Sequence, residues 1–273
     1  MPHKQLSPYM LFVAGVMMFS NVYGIGWWGF QNKFASGSDF TLFFTSPFDE
    51  TVSYIKGDGA LADNLIPINL KDLQIRSTGV GHRQSESVLD ENVKFSMDIN
   101  RSRLENGYTF QRGNGRIIIR VHGVGTSEAK VFFPEEGNVA RLVDAEDLGR
   151  GVAEFLNKHS EVNIKEVYLD CSGAELGTGQ RFTQSFFENF AGEDDTIVTY
   201  RNGGGTGTTR PKDGKLMWTI DGVGGEGIDK GEFYLNGKIP EEYKHLFTSK
   251  NARGETVDRD EWLSSRQGAC ASP

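Results

Sequence analysis

Followed along its apolar positions, the chain changes character several times. Residues Met10 to Phe19 form one unbroken apolar run. From Ile25 to Arg112 apolar and polar residues alternate in short stretches such as DFTLFF, ETVSYI and VKFSMDI, which predicts a β-rich segment with many turns. After the glycines and polar residues of QRGNGR, the positions Ile117, Ile118, Ile119 and Val121 give a continuous β-branched run of the kind found in strands covered on both faces.

A helical period follows. Asp144 can cap free backbone N–H groups, Glu146 and Asp147 suit the positive end of the helix dipole, and Leu148, Val152, Phe155 and Leu156 then recur at helical spacing. The strand EVYLDC comes next, and beyond GTG a second helix carries Phe182, Phe186 and Phe190 four residues apart. TIVTY supplies a third strand. This β-α-β-α-β progression predicts an α/β fold, a mostly parallel sheet flanked by helices. Past Arg201 the chain turns glycine-rich, and KLMWTI and GEFYLNG read as hairpin strands. From Ile239 it is polar, with a short helix expected around PEEYKHLF. The expected division is residues 1–24, a β-rich region 25–112, an α/β domain 113–238 with a C-terminal hairpin flap, and a polar extension 239–273.

Composition changes this picture in three places. Of 273 residues 37% are hydrophobic, enough for a core, and the formal charge of −8 supplies no basic field for a phosphate backbone, so no nucleic-acid partner is expected. The segment to Gly24, with Lys4 ahead of the apolar run and small residues after it, has the shape of a secretory signal peptide; ten apolar residues are too few to span ~30 Å of hydrocarbon. A secreted or periplasmic protein without a membrane span after cleavage is the expectation, the alternative being an N-terminal helix docked on the core. Cys171 and Cys270 are the two cysteines, and a disulfide between them is the structural alternative to a reactive thiol at 171.

The candidate chemistry lies at two strand ends. Parallel strands joined by a crossover helix place their C-terminal ends on one edge of the sheet, where open α/β folds bind ligands. His122 ends one strand and Cys171 ends the next, so topology carries an imidazole toward a thiol whose pKa it can lower into the working range. Gly123 lets backbone approach a substrate, and its N–H with that of Cys171 could hold an oxyanion. Asp170 alternates to the face opposite Cys171, which makes it a poor orienter of His122; Asp144 and Asp147 are the remaining candidates for a third member. His82 lies in a polar, loop-like stretch and reads as solvated.

The quoted segments resemble the autoprocessing cysteine protease domains of large bacterial toxins, of the clostridial glucosylating and repeat-in-toxin kinds, which share the caspase-like fold. The similarity rests on IIIRVHGVG, the helix DAEDLGRGVAEFLNKH, IKEVYLDCSG, GTGQRFTQSFFENF and TIVTYR followed by a flap-like hairpin, about two-fifths of the chain. It implies His122 as base, Cys171 as nucleophile and Gly123 with the Cys171 amide as oxyanion donors, hydrolysing peptide bonds of a protein substrate or of the chain itself. It also implies an inositol hexakisphosphate activator on a basic cluster beside the flap, for which Arg210, Lys212 and Lys215 are the candidates; a solvated turn is the competing reading of those three. Arg201 stands where caspases read a substrate carboxylate. This chain has Asp170 where the toxin domains have glycine before the cysteine.

Rival readings fare less well. An α/β-hydrolase needs G-x-S-x-G and a late histidine after a strand, whereas LDCSGA lacks the flanking glycines and His245 reads as helical. Gly222, Gly224 and Gly227 satisfy G-x-G-x-x-G, but strand-like sequence follows instead of a helix. No Walker A motif or metal-ligand spacing occurs. A non-catalytic secreted effector or binding protein on the same scaffold is the alternative from a different class.

Overall fold

The computed structural model describes residues 40–48, 65–82, 98, 101–102, 114–124, 128–136, 139–159, 163–171, 177–192, 194–202, 206–212, 215–221, 231–234 and 237–267. The expected signal peptide, the GVGGEG stretch and Cys270 lie outside the described residues.

The β-branched run forms strand β4 (Asn114–Arg120), and EVYLD lies within β8 (Asn163–Asp170). These two pair in parallel and form the middle of a seven-stranded sheet. On one side β4 pairs in parallel with β1 (Phe40–Thr45), which pairs in parallel with β2 (Leu65–Pro67). On the other, β8 pairs in parallel with β9 (Ile197–Arg201). Beyond it come β13 (Phe247–Asn251), antiparallel to β9, and β14 (Thr256–Val257), antiparallel to β13. The fold is a mixed α/β arrangement around this mostly parallel sheet.

The expected boundaries at 112/113 and 238/239 are crossed by the sheet: β1 and β2 come from the β-rich region, and β13 and β14 from the polar extension. Apolar burial explains the first. Leu42, Phe44 and Ile66 are buried and join Ile117 and Ile119 in one core cluster. Polar satisfaction explains the second, because the Thr199 and Ser249 hydroxyls bond across β9 and β13 at 2.8 Å where neither reaches water.

Helix α1 (Ala145–His159) and helix α2 (Thr178–Asn189) supply the two crossovers and lie on one face of the sheet. Gly149 of α1 sits against α2 so closely that a Cβ there would lie 2.3 Å from the Phe182 carbonyl oxygen. Phe182 and Phe186 are fully buried and stacked, and Phe190 stacks on Phe186 with ring centroids 4.8 Å apart. Burial of each of the first two contributes roughly 2–3 kcal/mol. Gly177 before α2 has φ of 102°, a left-handed conformation that explains glycine at the helix entrance.

Between β4 and α1 the chain forms β5 (His122–Gly123), β6 (Lys130–Glu135) and β7 (Val139–Asp144), which join the earlier β3 (Gly79–His82) in a four-stranded antiparallel sheet of order β3-β7-β6-β5. His82, expected in a loop, is therefore a strand residue paired with Val139. A separate three-stranded sheet joins β10 (Thr206–Lys212), β11 (Lys215–Asp221) and β12 (Gly231–Tyr234), so the expected hairpin carries a further strand, β10. The expected helix near 240 is a 3-10 turn, Glu241–Leu246, and a third helix α3 (Arg259–Gln267) follows β14.

Candidate active site

Period-two alternation divides the β8 side chains sharply. Val167, Leu169 and Cys171 join the core beneath α1 and α2, together with Ile117, Ile119 and Val121 of the neighbouring strand. Glu166, Tyr168 and Asp170 take the other face, and all three are also buried. The register pairs Arg120 with Asp170, and the Val121 amide donates to the Asp170 carbonyl oxygen at 3.2 Å. Cys171 therefore emerges beside Val121, one residue before His122, from strands spaced about 4.8 Å apart.

His122 is half-buried and belongs to the small sheet, where it pairs with Phe132 while Gly123 pairs with Val131. Alternation carried on from Arg120 would send His122 to the face away from Cys171. The chain instead leaves the seven-stranded sheet after Arg120, and His122 takes its place in the small sheet. Gly123, whose amide was expected to serve as an oxyanion donor, lies in strand β5 opposite Val131 of β6.

Cys171 is a thiol, 1% exposed, and part of the apolar core. A nucleophile must reach its electrophile, so attack on a peptide requires opening of the cover over the sulfur. Of the candidates for a third member, Asp147 bonds Arg150 one turn on at 3.0 Å, and Asp144 ends β7 opposite Lys130.

The opposite face of the sheet holds the strongest electrostatics. Glu166 is 1% exposed and accepts a two-pronged bond from Arg259, Nε to Oε1 at 2.5 Å and Nη2 to Oε2 at 3.0 Å, and Arg116 bonds the same carboxylate. Burial pushes the Glu166 pKa up, but Arg259 and Arg116 together outweigh it and hold the group at about 2. Arg259 stays charged above its ordinary range despite its own burial, because Glu166 and Asp260 surround it. Asp170 bonds Arg120. The negative charge next to Cys171 is thus paired and turned to the other face. Burial, with Asp170 nearby, pushes the Tyr168 hydroxyl well above its usual range, and that hydroxyl has no hydrogen-bond partner among the described residues.

Arg201 ends β9 one position beyond the pair of Leu169 with Tyr200, and it is 4% exposed. Tyr200 belongs to the core cluster with Cys171, so alternation sends Arg201 to the face of Asp170 and away from the thiol. The structure therefore brings His122, Gly123 and Cys171 to one edge and leaves Arg201 across the sheet from the sulfur. Arg210 and Lys212 lie in β10, with Lys215 opening β11; the register sets Lys212 opposite Lys215 and Arg210 opposite Met217. Two cavities, of about 10 Å³ and about 170 Å³, adjoin Ile239, Phe247 and Arg259 on the far face, and neither is lined by His122 or Cys171.

Among the described residues, no group of three or more His, Cys, Asp or Glu could hold a metal ion, and no helix is long and apolar enough to cross a membrane. The sequence reading missed Glu166 and Arg259. A carboxylate alternating with Val167 and Leu169 inside a buried strand was the available signal, since such a charge needs a partner.

Comparison with family models, with curated proteins and with solved structures finds no match. The function has to be argued from the strand ends themselves.

Proposed function

We propose that the protein is a cysteine peptidase on a caspase-like α/β scaffold, with His122 and Cys171 as a catalytic dyad. The observation that carries this reading is the parallel pairing of β4 with β8, which ends both strands on one edge and sets Cys171 beside the residue preceding His122. In the reaction, His122 takes the Cys171 proton and the thiolate sulfur attacks the peptide carbonyl carbon. The C–N bond breaks as the imidazolium returns the proton to the leaving amine. Water, deprotonated by His122, then hydrolyses the thioester to a carboxylic acid and restores the thiol. The amides of Gly123 and Cys171 are the candidate donors to the oxyanion.

The substrate is a protein or peptide, including the chain itself, and the leader expected at residues 1–24 would place that work outside the cytoplasm. The β10–β11 hairpin with Arg210, Lys212 and Lys215 is the place to seek a polyanionic activator such as inositol hexakisphosphate. The test is incubation of the purified chain, alone and with a mixed peptide library, with and without that activator, followed by mass spectrometry. Cleavage lost in both Cys171→Ala and His122→Ala is expected; cleavage that survives either substitution refutes the dyad.

A second reading is favoured by one observation, the 1% exposure of Cys171 within the apolar cluster. On that reading the protein is a non-catalytic binding or effector protein that uses the sulfur as a small core residue. Loss of folding stability in Cys171→Ala, without any cleavage by the parent chain, would favour it.

A further inference from the structure

Two arginine–carboxylate rungs cross from β4 to β8 on the face away from α1 and α2, four residues apart. The first, Arg116 with Glu166, is tied to the C-terminal segment through Arg259. The second, Arg120 with Asp170, is the last rung of the β4–β8 ladder, with side chains 13% and 1% exposed. Beyond it the two strands part company. One residue after Asp170 comes Cys171, and two after Arg120 comes His122, already in another sheet.

An ion pair in such a place is poorly explained by stability alone. Removing two charges from water costs about as much as their attraction returns, and apolar replacements of similar size are often neutral or better. The backbone ladder already joins these strands, and the Val121 amide bonds the Asp170 carbonyl oxygen at 3.2 Å. What the side-chain pair adds is direction. A guanidinium bonded to a carboxylate fixes the rotation of both strand ends immediately before they diverge. Arg201, at the end of β9, is a further charge on this face, which it shares with the neutral Tyr168 hydroxyl.

Resting on the dyad reading above, we propose that Arg120 and Asp170 are positioning residues, a clamp at the fork of β4 and β8 that sets His122 relative to Cys171. The clamp acts through geometry and touches no substrate.

The experiment measures the thiolate fraction of Cys171 at pH 7 by ultraviolet absorbance titration, in the full chain carrying Cys270→Ser. His122→Ala is expected to lower that fraction about tenfold, as for a pKa change of about one unit. In the Arg120→Met, Asp170→Asn double variant, which removes both charges together and so leaves the net charge unchanged, His122→Ala should change the fraction less than about twofold. If His122→Ala retains its full effect in the double variant, the clamp is overturned and the dyad survives. If His122→Ala has no effect even with Arg120 and Asp170 intact, the dyad itself fails and takes the clamp with it. Should the double variant not fold by circular dichroism, Arg120→Lys replaces it. That variant keeps the charge but exchanges the planar guanidinium for a single ammonium, and an intermediate effect of His122→Ala is expected; a full effect overturns the clamp equally.

Discussion

Substituting Glu166→Gln removes the negative charge that Arg259 and Arg116 share on the far face of the sheet and leaves Asp260 paired with Arg259. The magnitude follows from the ionisation of the carboxylate. Its pKa falls from 4.5 to about 2 on folding, and at 1.36 kcal/mol per pKa unit this gap is worth about 3 kcal/mol to the native state at neutral pH. The same order is reached from the cost of stranding a buried charge, ~3–5 kcal/mol when one partner of a buried pair is removed. The sign is set by a folded pKa lying below the unfolded one. The contribution is fully present above pH 4.5 and is lost as the pH falls toward 2. Urea unfolding of the parent and Glu166→Gln chains, followed by circular dichroism from pH 7 down to the acid limit of folding, reads this directly. The variant should be less stable by about 3 kcal/mol at pH 7, and the difference should shrink steadily below the ordinary carboxylate range. A difference that is small at pH 7, or that does not change with pH, would refute the claim that Glu166 is a charged anchor.

Two further substitutions test the packing. Gly149→Ala normally gains up to about 1 kcal/mol in a helix, yet here the new methyl would meet the Phe182 carbonyl at 2.3 Å, so a net loss of ~1–3 kcal/mol and a lower thermal midpoint are expected; an unchanged or raised midpoint contradicts the α1–α2 contact. Tyr168→Phe deletes a buried hydroxyl that has no hydrogen-bond partner among the described residues, so urea unfolding should show stability unchanged or raised by about 1 kcal/mol, and a clear loss would mean that the hydroxyl is satisfied.

Much of the architecture was legible because its signals are local. The β-branched run of β4, the helical spacing of Leu148, Val152 and Leu156, and the Phe182, Phe186, Phe190 stripe each fixed an element and its buried face. Sheet membership was not local. FTLFFT of β1 reads as a strand, but nothing within it says that it pairs with β4, more than seventy residues later in the chain. β13, FTSKN, has a single apolar residue, and it enters the sheet through backbone pairing with β9 and the Ser249–Thr199 bond.

The candidate site divides in the same way. His122 and Cys171 were legible as strand ends, because a parallel crossover fixes which ends share an edge. The departure of His122 into a second sheet was not, since β6, the strand with which β5 pairs, comes later in the chain. The burial of Arg259 was hidden for a physical reason. A charged residue in a polar segment reads as solvated, and only Glu166, 93 positions away, makes its burial tolerable.

The account depends most on whether the Cys171 sulfur is activated by its neighbour. The direct measurement is the rate of iodoacetamide labelling of each cysteine at pH 7, resolved by peptide mapping, in the parent chain and in His122→Ala. Labelling of Cys171 well ahead of Cys270, and slowed about tenfold by His122→Ala, is the predicted result for a thiolate made by the imidazole. Labelling of Cys171 that is slower than that of Cys270 and indifferent to His122 would contradict the dyad and leave the sulfur as a packed core atom.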